Sequence, residues 1–356
     1  MPSNNSRLHL YAPSVHTGGG LVLLKDLLHA LPPHVHVVAW LDDRCQDVVT
    51  IPANANITWV KKTVLSRLFA EVSLAKRAKK NDKVLCFHGL PPLVKNKAQI
   101  HVFLQNRLYL EELDSAGFSF FTSVRLAFER RIFRWFRYRV DSYWVQTPSM
   151  ARCLLKLCGS DSNRIHICPF ATNNGVRELN ASQKWDFVYI ADGEAHKNHR
   201  NLVEAWKLLS QQSLRPNLAL TLSERDSALK TWVAETAQKH DLRITDLGQR
   251  THNEVLNLYS EAQALIFPSK SESFGLPLIE ATQAGLPILA GEMDFVRDVC
   301  EPVQTFDPNS PVSIARAVLR FLGQPEKPIP TVSPKEFIES ILEDQNTNQP
   351  NQVAIK

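Results

Sequence analysis

A chain of 356 residues is long enough for two domains, and 44% hydrophobic residues is ordinary for a globular protein with a full core. The net charge is only +5, and no run of about eighteen apolar residues exists that would span a bilayer. The start, Met1-Pro-Ser-Asn-Asn-Ser6, does not read as a secretory signal, and none of the six cysteines forms a C-x-x-C pair, which fits buried, reduced thiols and a cytoplasmic location.

Leu8–Ala12 reads as a first strand. The loop after it ends in His16-Thr-Gly-Gly-Gly20, and apolar spacing from Leu21 to Leu31 predicts a helix stopped by Pro32-Pro33. Strand, glycine turn and helix is an arrangement in which backbone approaches a phosphate closely, so Gly18, Gly19 and Gly20 are candidate phosphate contacts. The spacing is not the G-x-G-x-x-G of dinucleotide folds, which argues against a nicotinamide-dependent oxidoreductase. Val35–Leu41 predicts a second strand. Val84–Phe87 leads into His88-Gly-Leu-Pro-Pro92, and Ile100–Leu104 leads into Gln105-Asn106-Arg107. Ligands of doubly wound folds lie at the carboxyl ends of parallel strands, so His88, Gln105 and Asn106 are candidates to line a cleft.

Two stretches of this half are basic. Lys61–Lys80 sets Lys61, Lys62, Arg67, Lys76, Arg77, Lys79 and Lys80 against one acid, Glu71. Arg125–Arg139 interleaves six arginines with Phe128, Phe133, Trp135, Phe136 and Tyr138. Arginine among large aromatics is the composition of a helix lying in a membrane interface, which makes an anionic membrane surface a candidate partner. A packed helix with a solvated basic face has the same composition. No recognition motif accompanies the charge, so nucleic acid is not expected as a partner.

Asp141–Gln146 and Ile165–Phe170 predict the last strands of a first domain, residues 1–175, and the polar stretch 173–184 reads as a linker. A second domain, residues 185–330, restarts the alternation at Phe187–Ile190. It continues through short apolar runs at 218–222, 242–244 and 264–267 that suit a parallel sheet buried on both faces. Ser310-Pro311 starts a helix to Phe321. Ser333-Pro-Lys-Glu336 has capping-box spacing for a last helix over 333–344, and the Asn- and Gln-rich tail 345–356 is expected to be disordered.

The richest stretch is Phe267-Pro-Ser-Lys-Ser-Glu-Ser-Phe-Gly-Leu-Pro-Leu-Ile-Glu-Ala-Thr-Gln-Ala-Gly-Leu-Pro-Ile-Leu-Ala290. A strand end passes through a loop into a helix, with Pro277 suited to its first turn and Gly285 to a left-handed cap at its end. The amides around Ser273, Phe274, Gly275 and Leu276, with the helix dipole, favour an anion. Glu272 and Glu280 flank that anion. As acids they suit sugar hydroxyls on either side of a diphosphate rather than the diphosphate itself.

Residues 269–290 resemble the E-x7-E signature of retaining GT-B glycosyltransferases of family 4 (glycosyl transferases group 1), whose consensus is approximately P-S-x-x-E-x-F-G-L-P-x-x-E-A-x-x-x-G-x-P-V. The resemblance implies two Rossmann-like α/β domains facing a cleft, with the last helix crossing back to the first domain. It also implies transfer of a sugar from a nucleotide diphosphate to a glycan or lipid-linked acceptor with retention, as in O-antigen or capsule synthesis. Lys197 and Glu272 would be catalytic, Glu280 would hold the ribose, and Gly18–Gly20 would face the diphosphate. Neither a metal nor any cofactor besides the nucleotide-sugar donor is implied. Two departures stand out. Asp192 sits where the family carries an arginine that clamps the diphosphate, leaving Lys270 and Arg200 as substitute cations, and Gln105-Asn106 replace a histidine. A non-catalytic sugar-nucleotide binder remains open as the alternative.

Overall fold

The computed structural model describes residues 7–110, 120–159, 164–171, 183–326, 331 and 333–344; the tail 345–356 and most of the linker lie outside them. The first domain runs β1 (Leu8–Ala12), α1 (Gly18–His29), β2 (Val37–Asp42), β3 (Ala55–Val60), α2 (Val64–Arg77), β4 (Lys83–Cys86), β5 (Gln99–Phe103), α3 (Phe120–Phe136), β6 (Ser142–Val145), α4 (Pro148–Cys158) and β7 (Ile165–Ile167). The second runs β8 (Trp185–Tyr189), α5 (His199–Gln211), β9 (Leu218–Leu220), α6 (Ser227–His240), β10 (Ile244–Asp246), α7 (His252–Ser260), β11 (Ala262–Phe267), α8 (Leu276–Gln283), β12 (Ile288–Gly291), α9 (Asp294–Arg297), β13 (Gln304–Phe306) and α10 (Pro311–Phe321). A final helix, α11 (Pro334–Asp344), leaves Phe337, Ile338 and Ile341 exposed.

Seven parallel strands form one sheet, ordered β3-β2-β1-β4-β5-β6-β7, and six form the other, ordered β10-β9-β8-β11-β12-β13. Each central strand is buried on both faces, as the continuous apolar runs require: β11 packs Phe267 edge-on against Tyr189 of β8, and Phe187 packs against Trp206 of α5. The chain direction of growth reverses between β1 and β4 in the first sheet and between β8 and β11 in the second. Loops leaving neighbouring strands there diverge and open a crevice. Hence the turns carrying Gly18–Gly20, Lys197 and Glu272 meet although they are far apart in sequence.

Candidate active site

In the second domain the loop after β8 is fixed from several sides. The Tyr189 hydroxyl donates to the Lys197 carbonyl at 2.7 Å. Asn198, left-handed at φ 65°, donates its side-chain amide to the carbonyls of Pro268 (3.0 Å) and Pro308 (2.6 Å). The backbone N–H of Lys270 donates to the His196 carbonyl at 2.8 Å, joining this loop to the one after β11. The result brings Lys197 Nζ to 2.7 Å from Glu272 Oε1, which also accepts from Ser269 Oγ at 2.7 Å. Burial alone would lower the Lys197 pKa, but Glu272, Asp192 and Glu194 together hold it above the ordinary lysine value. Burial, reinforced by Asp192, raises the carboxyl of Glu194. Burial and the neighbouring ammonium drive His196 down to about 3, so it is a neutral imidazole.

Gly275 takes φ 71° at the cap of α8, a left-handed conformation that favours glycine, and Gly285 ends the helix at φ 70° as the spacing predicts. Glu280, on the first full turn, is buried. Its two oxygens meet His252 Nε2 and the Tyr259 hydroxyl, each at 3.0 Å. That hydrogen bond to Glu280 raises the His252 pKa. A carboxylate has about four lone-pair positions, so Glu280 retains capacity for a further donor.

The first domain closes over these loops. A Cβ added at Gly19 would lie 2.8 Å from Leu276 Cδ1, and one at Gly20 would lie 3.1 Å from Gln105 Oε1. Leu276, at the start of α8, packs into the apolar core of the first domain. Ser273 Oγ donates to the Gln105 carbonyl at 2.6 Å, and Thr147 Oγ1 donates to the Ser273 carbonyl at 3.2 Å. From α9, Asp294 takes a bidentate pair from Arg107 at 2.9 and 3.1 Å, while Asp298 accepts from the Ser149 amide and hydroxyl.

Between the domains lies a cavity of ≈ 170 Å³ lined by Gln105, Asn106, Arg107 and Leu108 on one side and Asp192, Glu194, His196, Lys197, Ser271, Glu272 and Ser273 on the other. It unites Lys197, Glu272, Gln105, Asn106 and Ser273 from among the expected residues. Gln105 also donates to the Phe87 carbonyl at 2.6 Å, and Asn106 accepts from the Leu108 amide at 3.0 Å, so both shape their loop as well as line the cavity. Gly18–Gly20, Phe274, Gly275, Leu276 and Glu280 are not among the lining residues. His88 does not line it: its ring sits edge-on to Tyr11 at 5.2 Å, with Nδ1 3.3 Å from the Tyr11 carbonyl, and burial lowers it to about 4. The substitute cations are elsewhere too. The Arg200 guanidinium lies 4.6 Å over Trp232, and Lys270 is not a lining residue. Arg107, Glu194 and His196 were not anticipated. The cue was the carboxyl-end position they share with Gln105 and Lys197.

Two parallel sheets with a site between their carboxyl ends define the GT-B glycosyltransferase fold. The chain superposes on sucrose-phosphate synthase from Thermosynechococcus elongatus with a TM-score of 0.66 at 17% identity, covering 90% of both chains. It superposes on Anabaena HepE in complex with UDP and glucose with a TM-score of 0.61 at 13% identity, covering 89% of this chain and 90% of that one. Residues 173–330 match the model of the family glycosyl transferases group 1. In sequence the chain is similar to two Escherichia coli proteins. The serotype-specific mannosyltransferase WbdA is 39% identical over 141 residues, 38% of this chain and 17% of that protein. The O-antigen chain mannosyltransferase B is 29% identical over 140 residues, 38% of this chain and 36% of that protein. The matches thus span well under half the length of these curated relatives.

Proposed function

We propose that the protein is a glycosyltransferase that moves a sugar from a nucleotide-diphosphate donor to a glycan or lipid-linked acceptor with retention, in surface polysaccharide synthesis. The observation that carries this reading is the Lys197 ammonium, set beside the start of α8 in a cavity closed by the opposite domain. Cleavage of the donor leaves a diphosphate with growing negative charge. A fixed ammonium and helix-end amides stabilise it without reorganising, in a space from which water is largely displaced. No metal is invoked, since these groups supply the positive charge. On donor entry Lys197 turns from Glu272 to the phosphates, and Glu272 accepts hydroxyls of the transferred sugar. Glu280, oriented by Tyr259 and His252, takes the ribose hydroxyls. The name of the O-antigen chain mannosyltransferase B supports the polysaccharide role, and UDP and glucose bound to HepE support the donor class. Purified protein incubated with nucleotide sugars and a lipid-linked acceptor tests it: release of nucleoside diphosphate with sugar transfer is expected. Tight binding without turnover would favour the non-catalytic alternative, which the acidic Asp192 suggests.

The same reading places the acceptor at an anionic membrane surface. Val64, Leu65, Leu68 and Phe69 of α2 are exposed, as are Val124, Phe128 and Trp135 of α3. Arg131 stacks on Trp135 at 4.6 Å. Glu71 is buried, accepting the amides of Leu93 (3.0 Å) and Val94 (3.4 Å), and so lies apart from the exposed Lys76 and Arg77 of its helix. Burial raises the Glu129 pKa while Arg125 and Arg67 act against it. Arg130 is an unsuitable probe because it donates to the Leu108 carbonyl at 2.7 Å. The double variant Leu65→Ser/Phe69→Ser should lose cosedimentation with anionic vesicles; unchanged binding would reject the membrane face. Among the described residues no helix is long and apolar enough to cross a membrane.

A further inference from the structure

Three serines alternate along the loop after β11, and their hydroxyls have different fates. Ser269 Oγ donates to Glu272 Oε1 at 2.7 Å, and Ser273 Oγ donates to the Gln105 carbonyl at 2.6 Å. The hydroxyl of Ser271 has no hydrogen-bond partner among the described residues, although the residue is only 3% exposed and lines the cavity. A hydroxyl taken out of water without a replacement partner destabilises a fold, and folded chains leave few of them so. On a cavity wall, such a group is placed to pair with a ligand.

The backbone around Ser271 is held on both sides. Before it, the Lys270 amide donates to the His196 carbonyl at 2.8 Å, and Ser269 Oγ lies 3.4 Å from the carbonyl of Ser271 itself. After it, Glu272 meets Lys197 Nζ at 2.7 Å. Both bonds that Glu272 receives among the described residues fall on Oε1. The second-domain wall of the cavity sets Asp192, Glu194 and Glu272 against the single ammonium of Lys197. Carboxylates suit hydroxyls, which donate, and repel the acceptor-only oxygens of a phosphate. A serine hydroxyl both donates and accepts. Beside Glu272 it can donate to a sugar hydroxyl whose own proton goes to the carboxylate, which satisfies that hydroxyl on two sides.

We propose that Ser271 is a specificity-determining residue for the donor sugar. Its hydroxyl takes one hydroxyl of the transferred sugar, next to those held by Glu272. It thereby separates sugars in which that hydroxyl is present and correctly oriented from those in which it is missing or inverted. The proposal deepens the donor reading given above and rests on it. A site built to hydrogen-bond a substrate hydroxyl rejects an analogue lacking it, because the buried protein group is then left unpaired. Without donor the protein carries that unpaired group as a small loss of stability, which is the usual trade at a binding site.

Calorimetric titration of UDP, GDP, UDP-glucose, UDP-galactose, GDP-glucose and GDP-mannose into the full chain tests it, using wild type, Ser271→Ala and Ser271→Cys, with a melting curve for each. For the nucleotide sugar that wild type binds best, Ser271→Ala should weaken binding by about three- to tenfold, the scale of one neutral hydrogen bond. Affinity for the matching free nucleoside diphosphate should not change. Among the monodeoxy analogues of that sugar nucleotide, one should bind wild type and Ser271→Ala alike, which identifies the hydroxyl. Removing an unpaired hydroxyl leaves nothing orphaned, so Ser271→Ala should melt at the wild-type temperature or above. Ser271→Cys, close to serine in size but a weak hydrogen-bonding group, should lose sugar affinity in the same way and covers the case in which Ala disturbs the loop. Unchanged affinity for every nucleotide sugar in both variants would overturn the proposal, as would an equal loss for nucleotide sugar and free nucleoside diphosphate. A wild type that binds none of the six nucleotides would overturn the donor reading itself, an outcome distinct from both.

Discussion

Lys197→Met removes the ammonium while keeping most of the side-chain volume. The Lys197 and Glu272 side chains are 19% and 11% exposed, so the substitution leaves a carboxylate in a largely dehydrated site with Asp192 and Glu194 nearby. Orphaning one partner of a buried pair costs about 3–5 kcal/mol. Because some solvent reaches this pair, the lower end, about 3 kcal/mol, is the expected loss. At about 2–4 °C per kcal/mol for a domain of this size, that is a melting temperature lower by about 6–12 °C. Adding Glu272→Gln removes the orphaned charge and leaves an amide that still meets Ser269, so most of the stability should return. Turnover should not return: both variants lack the group that meets the leaving diphosphate, and each should stay down by about 10²–10³. Scanning calorimetry and a nucleoside-diphosphate release assay read the two quantities separately. If Lys197→Met melts like wild type, or if the double variant recovers turnover along with stability, the account of this pair is wrong.

Other perturbations bear on other parts of the site. His252 has a raised pKa in the folded chain through its bond to Glu280. Its stabilising contribution is therefore full below the unfolded value near 6.5 and is lost as pH rises through the folded value. His252→Gln should flatten the fall in melting temperature above about pH 6.5; an unchanged profile would mean the pair is not coupled to protonation. Gly19→Val pushes a branched side chain against Leu276 and should hold the domains apart, with turnover lower by about 100-fold, the scale of a misplaced reacting group. Adding Leu276→Ala should recover much of that loss, and failure to do so would show that the glycine serves the turn and not the interface.

How much was legible follows from where the signal was local. The α10 helix begins at Pro311 and ends at Phe321 as Ser310-Pro311 and the apolar spacing indicate, with Ser310 Oγ accepting the Ser313 amide. Strand β1 and the left-handed Gly285 were equally plain, because each is dictated by residues within a few positions. Strand β3 escaped notice: Ala55–Val60 is a sheet edge, mostly half-buried, and lacks a clean apolar run. Strand β13 is only three residues long. In the site, the separate roles read for Lys197 and Glu272 hid their contact with each other. Arg107 and Asp294 stand 187 positions apart, so no spacing rule joins them, and only the meeting of the two sheets does. His88 misled because a strand-end histidine can turn inward. Here its neighbour Tyr11 offers a ring face and a carbonyl, and burial keeps it neutral.

The central claim, that the cleft grips the diphosphate of a nucleotide sugar between Lys197 and α8, is tested most directly by thermal denaturation of wild type and Lys197→Ala with a panel of nucleoside diphosphates and nucleotide sugars. At about 100 times the dissociation constant, one nucleotide series should stabilise the wild type by about 2.7 kcal/mol, and the variant by far less. No stabilisation by any of them, or the same stabilisation in Lys197→Ala, would contradict it.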